Sequence, residues 1–175
     1  MVLRLAALFF AVVAILLFGV MSMFVLGPLP GVDPQTIVGG YGQKDISDFF
    51  AGLTIEQRQT WRSGVIYLDF PFIVTSGLAA CLIFAGAHGG LRFAGFLVTW
   101  IFVFCDALED FQLLSHLEPF LTAGWVLYPP PDDGASFLGW VTTVKIASFF
   151  AMLLAAVLAI WQAARPEVTM KGKSR

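Results

Sequence analysis

The chain has 175 residues, 58% of them hydrophobic and 13% charged, with a formal net charge of −2 and a mean hydropathy of +0.84. A soluble domain carries about 25% charged residues, so this chain has too little polar surface to cover a globule in water, and its natural solvent is lipid. The charge balance excludes a basic field for nucleic acid. The two cysteines, Cys81 and Cys105, lie inside apolar segments and exclude a secreted-type disulfide framework.

A bilayer core of about 30 Å needs about 20 apolar residues in a helix, and four stretches meet that need. The first covers residues 5–26 without a charge. Its apolar run is longer than a signal-peptide core, and no small-x-small cleavage pattern precedes Gly27-Pro28. It reads as a retained span.

Residues 27–63 form a long polar connection. Gly27-Pro28-Leu29-Pro30-Gly31 stops the first helix, and Asp33-Pro34 and Gly39-Gly40 keep the chain irregular. From Asp45 or Ser47 a short amphipathic helix carrying Phe49, Phe50 and Leu53 is predicted, ending at Gly52. Thr54 and Gln57 have the spacing of a capping box, so a second helix starts there and runs on into the membrane. Trp61 and Tyr67 then mark the interface.

The second span covers residues 64–86 and the third residues 93–116. The turn between them, with His88, Gly89 and Gly90, makes them antiparallel neighbours. Residues 117–135 read as another polar connection, with turn signals from Pro129 to Gly134. Trp125, Tyr128 and Trp140 place that connection at the headgroups. The fourth span covers residues 136–161 and a basic tail, 162–175, follows. The expected architecture is all-α: a single polytopic membrane domain, residues 1–175, folded as an antiparallel bundle of four transmembrane helices.

Basic residues orient it. Arg4, Arg92, Arg165, Lys171, Lys173 and Arg175 fall on the side of the termini and of the His88 turn, and Lys44, Arg58 and Arg62 on the other. The excess places both termini in the cytoplasm, with the two long connections facing outward.

Five ionisable residues fall within the spans: Asp69, Asp106, Glu109, Asp110 and Lys145. A charge at a helix centre costs about 2.5–3.5 kcal/mol on insertion scales, so each is expected to face the bundle interior or a wet cavity. At 1.5 Å per residue, Asp69, Asp106 and Lys145 lie roughly 8, 15 and 14 Å from the outer ends of their spans. Asp106 and Glu109 share a helix face with Thr99, Phe102, Leu113 and His116, while Asp110 belongs to that face or flanks it. Thr142, Lys145 and Ser148 repeat the spacing on the fourth span, which predicts a contact between Lys145 and a carboxylate. One lysine cannot neutralise four carboxylates, so at least one acid is expected to keep its proton near neutral pH. Pro71 removes the helical bond to the Tyr67 carbonyl and is expected to break or bend the second span beside Asp69. Only two histidines occur, His88 and His116, both near helix ends, and no metal set or cofactor fingerprint is present.

The string from Tyr67 through Asp69 and Pro71, followed by Asp106, Glu109 and Asp110 and by a lysine in the last span, resembles a group of uncharacterised bacterial four-span membrane proteins. That group carries an Asp-x-x-(Phe)-Pro element and an Asp-x-x-Glu-Asn/Asp element. The resemblance covers residues 41–150, has a first spacing one residue shorter here, and implies no particular activity. A more remote similarity is to the four-helix bundles of the sterol-isomerase and sigma-2-receptor type, whose first-span acid is absent here.

Three readings of function follow. The first is an outward-facing intramembrane pocket for a small apolar or lipid-like ligand. It could be catalytic, with Asp69, Asp106 and Glu109 as acid/base groups and Lys145 fixing their charge. The second is proton-coupled transport along the same carboxylates. The third is an accessory or assembly subunit of a larger membrane complex, with other membrane subunits against the apolar first span and the line Ala147, Ala151, Ala155, and with the charges purely structural. Membrane lipid is a partner in all three.

Overall fold

The computed structural model describes residues 2–30, 41–122 and 137–164. These form five helices: α1 (Val2–Leu26), α2 (Gln43–Gly52), α3 (Ile55–Ala85), α4 (Gly90–Thr122) and α5 (Phe137–Ala164). All but α2 are long and apolar enough to cross a membrane. The turn signals of residues 31–40, Trp125, Tyr128, the segment from Pro129 to Gly134 and the basic tail from Arg165 lie outside the described residues.

The helix starts follow the sequence. Thr54 caps α3: its hydroxyl accepts from the Gln57 amide at 3.2 Å, and the Gln57 side chain accepts from the Thr54 amide at 2.9 Å. This reciprocal pair satisfies two amides that the first turn leaves open. At the start of α2, Asp45 Oδ2 accepts from the Gly42 amide at 2.7 Å. Between α3 and α4 the chain reverses over residues 86–89, with Gly89 at φ 62°, a conformation that disfavours any side chain. The His88 amide donates to Gln162 Oε1 at 3.1 Å, tying this turn to the end of α5.

Two expectations need correction. Residues 117–122 are not part of a connection, because α4 runs on to Thr122. Leu117 and Phe120 continue the buried stripe of Leu113, and packing carries the helix past Pro119. The second concerns Pro71, where the hydrogen-bond pattern changes without an interruption of the helix. The chain stays helical from Ile55 to Ala85 and instead widens just before the proline, into a π-turn over Val65–Asp69. There the Phe70 amide donates five residues back, to Val65. Proline brings no amide of its own, and the wider turn absorbs the loss without a break.

A second π-turn, Met21–Leu26, ends α1. The two meet at Gly64, where a Cβ would stand 2.7 Å from a Val25 methyl carbon and 3.2 Å from Met21 Sδ. Glycine is what lets the helices approach this closely. Further along, Phe18 packs on Phe72, with ring centroids 5.8 Å apart. Gly77 faces Val103, and Gly95 faces the buried ring of Phe84. Phe102 meets Phe149 at 5.3 Å.

The interior divides into two apolar cores. One lies under α2 and joins Phe50, Trp61, Val65, Leu113, Leu117 and Phe120. The other lies toward the end that carries the 86–89 turn and joins Ala80, Phe84, Phe102, Met152 and Ala159. The buried charges sit between them.

Candidate functional site

Asp106, Glu109 and Asp110 are all buried on α4, and Glu109 has no exposed surface at all. The stripe Thr99, Phe102, Asp106, Glu109, Leu113 is the buried face of the helix, as its spacing predicts; His116 is half-buried at its edge. Asp110 is also wholly buried, which puts it on the interior face rather than at the interface. Across from this stripe, α5 buries Thr142 and Ser148 and partly buries Lys145.

Lys145 joins the helices. Its ammonium pairs with Asp106 Oδ1 at 3.1 Å and with Glu109 Oε2 in a closer contact. Its side chain is 12% exposed, against 5% for Asp106 and 0% for Glu109. Removing such charges from water costs several kcal/mol per ion, which only close pairing and further hydrogen bonds offset. The further bonds are present. Glu109 Oε1 accepts from the Tyr41 hydroxyl at 2.8 Å and from the Thr142 hydroxyl. Thr142 Oγ1 also lies 3.1 Å from the Tyr41 oxygen and 3.1 Å from the Leu138 carbonyl. It has one proton for these three acceptors, so it can satisfy one at a time.

Tyr41 comes from the connection before α2, not from a span, and it is buried. Burial, with the Glu109 charge beside it, raises its phenol above the ordinary value and keeps it a donor. Asp69 is half-buried at the end of the π-turn of α3. The sequence-predicted residues are thus gathered, with Asp106, Glu109 and Lys145 in direct contact and Asp69 at the margin. Pro71 lies next to that margin. Among the described residues no three His, Cys, Asp or Glu side chains are placed to hold a metal ion.

Two further residues matter that were not legible as site residues. Tyr41 carries no periodic signal. Arg58 reads as a surface charge of a polar loop, yet it is buried. Its Nε donates to the Phe50 carbonyl at 2.8 Å, one terminal nitrogen to the Phe120 carbonyl at 3.0 Å, and the other to Ala51 at 3.4 Å. The guanidinium also stands 5.3 Å from the centre of the Phe120 ring. These carbonyls belong to the last turns of α2 and α4, where helices leave acceptors unpaired and where a cation is favoured. Arg58 therefore clamps α2 onto α4 and holds the segment bearing Tyr41 over Glu109. The signal for its burial is its spacing with Trp61 and Val65, both fully buried.

The arrangement is a closed polar cluster: three carboxylates and one ammonium in contact or near it, roofed by a phenol on a separate element. It can hold a proton, stabilise a cation, or donate and accept hydrogen bonds if the roof lifts. Comparison with protein-family models, with curated proteins and with solved structures finds no match.

Proposed function

We propose that the chain is an integral protein of a bacterial cytoplasmic membrane, its four spans forming an antiparallel bundle with both termini in the cytoplasm. The paired contacts support the antiparallel order. Phe84 meets Gly95 while Gly77 meets Val103, and Lys145 meets Asp106 while Phe149 meets Phe102, so in each pair one helix rises as the other falls. The apolar outer faces, with Leu8, Phe9, Ile15, Phe104, Leu154 and Val157 all exposed, suit lipid rather than water.

Within that frame we propose that the carboxylate–lysine cluster is a roofed binding site. Its ligand is a small apolar or lipid-like molecule with one polar end. The supporting observation is the hydrogen bond from Tyr41 to Glu109. It is made by an element outside the spans, so it opens and closes with the α2 segment and leaves the bundle intact. On opening, Glu109 and Asp106 face the entering group and Lys145 sets their charge. Acids with different partners are suited to recognise a polar head or to move its proton.

The test compares wild type with Glu109→Gln and Tyr41→Phe by mass spectrometry of small molecules that co-purify in mild detergent, at matched membrane abundance. A species retained by wild type and lost from Glu109→Gln supports the site. Equal retention by all three overturns it.

A second reading, the accessory subunit with purely structural charges, is favoured by one observation. Both Glu109 oxygens are already engaged by protein donors. It predicts that the chain co-purifies with other membrane subunits and that loss of the charges lowers abundance alone. A proton path through a single chain has less support. Beyond Asp106 and Lys145, toward the 86–89 turn, the described residues carry no charged side chain apart from Arg4, Arg92 and the turn's His88.

A further inference from the structure

At the end of the bundle that carries the 86–89 turn, α1 and α5 do not close on one another. A groove of about 530 Å³ remains between them, floored by Leu82 and Ile83 of α3. Small residues keep it open. Ala7 and Ala11 line it from α1, Ala159 and Ala163 from α5, each pair one helical turn apart. The volume lies within the roughly 300–1,000 Å³ of ordinary ligand sites. Its walls are apolar, and among the described residues one charged side chain stands in them: Arg4. Arg4 is exposed and has no ion-pair or hydrogen-bond partner among the described residues. Gln162, the nearest polar side chain on α5 in sequence, is already taken by the His88 amide.

We propose that this groove binds one anionic membrane phospholipid, with an acyl chain along the alanine-lined walls and the phosphate on Arg4. The proposal rests on the membrane reading above and is independent of the carboxylate cluster. Two features select this occupant. An arginine presents a planar fork of donors that matches a phosphate, and it stands at the end of its span, where headgroups lie. The groove is also short. On α1 its lining covers residues 3–11, about 13 Å of helix. A neighbouring transmembrane helix packs along most of a core about 30 Å thick. A headgroup with the upper part of its chain fits a groove that ends within the first turns.

The experiment uses the full chain purified in mild detergent. Dioleoyl phosphatidylglycerol and dioleoyl phosphatidylcholine are added in equal amounts, and retained lipid is counted by native mass spectrometry. Wild type is expected to keep one phosphatidylglycerol in about fivefold preference, the factor for one basic residue at an anionic surface. Arg4→Gln removes the preference, and Ala163→Phe, which fills the groove from an exposed position, lowers retention of both lipids. Lipid-free thermal unfolding of each variant is expected to match wild type, which separates loss of the site from loss of the fold. No preference in wild type, an unchanged preference in Arg4→Gln, or a second protein copy in place of lipid would each overturn the proposal. A chain that stays in solution without detergent defeats the membrane reading itself, before any lipid is added.

Discussion

Glu109 is the residue on which the polar cluster turns, because both its oxygens are engaged and it makes contact with three other side chains. Breaking a buried pair from one side leaves an uncompensated charge and costs about 3–5 kcal/mol. Lys145→Met is therefore expected to lower unfolding stability in detergent by that order, and Lys145→Met/Glu109→Gln to recover part of it. Additive losses in the double variant would show that the pair is not coupled. Tyr41 gives a pH signature. Its phenol is raised above the ordinary 10.0 in the folded chain, so its contribution is fully present below pH 10.0 and is lost as the pH climbs beyond it. Thermal scans between pH 8 and 11 should show wild type losing stability at the alkaline end more steeply than Tyr41→Phe. The acids and Lys145 were legible in the sequence because charge in an apolar run stands out. Tyr41 was not, because a tyrosine between glycines in a polar connection looks like any loop residue. Its role depends on where α2 docks, and no local pattern encodes that.

Helix positions were more legible than helix ends. The capping pair at Thr54 and the short amphipathic helix before it followed from spacing alone. The extension of α4 to Thr122 did not, since residues 117–135, with their turn signals, read as a polar connection. The buried line through Leu113, Leu117 and Phe120 overrides them. Arg58 holds this end together, and its side chain is the clearest target at this scale. Arg58→Met keeps the stem and removes the three bonds to carbonyls. Hydrogen bonds from charged groups contribute about 1.5–3 kcal/mol each at most, so α2 should detach while α1, α3, α4 and α5 remain packed. Limited proteolysis is the measurement: cleavage within residues 41–54 is expected to rise at least tenfold with the four long helices still protected. Uniform fragmentation would mean that Arg58 supports the whole bundle instead. Close helix contacts make a second case. Gly95→Ala would drive a methyl into the buried Phe84 ring, its Cβ 2.3 Å from the nearest ring atom. Overpacking of this kind costs about 1–3 kcal/mol, read as a lower midpoint in the same unfolding assay.

At the scale of the whole molecule, composition alone pointed to lipid, and four long apolar helices agree with it. Which side each end faces is a separate matter: the proposed orientation rests on nine basic residues, of which Arg4, Lys44, Arg58, Arg62 and Arg92 lie in the described helices. Single cysteines at Ser47 and Arg92, in a background lacking Cys81 and Cys105, should label from opposite faces of sealed vesicles. Labelling of both from one face would mean that α3 does not cross the membrane and would overturn the four-span arrangement. The two-core plan was not legible, because it depends on α2 folding back over the ends of α3 and α4.

The π-turn before Pro71 acts as a phase change. Along α3 the buried positions are Arg58, Trp61, Gly64 and Val65 before the π-turn, and Ile73, Gly77, Ala79, Ala80 and Phe84 after it. In an unbroken α-helix the first set would continue through residues 68 and 72. The line Ile73, Gly77, Ala80, Phe84 is displaced from that continuation by one position, the single surplus residue that a π-turn carries. Removing one residue between Val65 and Asp69 would let α3 run straight, at about 100° of rotation per residue. One half would then turn against the other, and either the clamp around Arg58 or the seam along Gly77 and Phe84 would lose its partner. The wide turn is thus a joint that lets one continuous helix serve two cores with different facing directions.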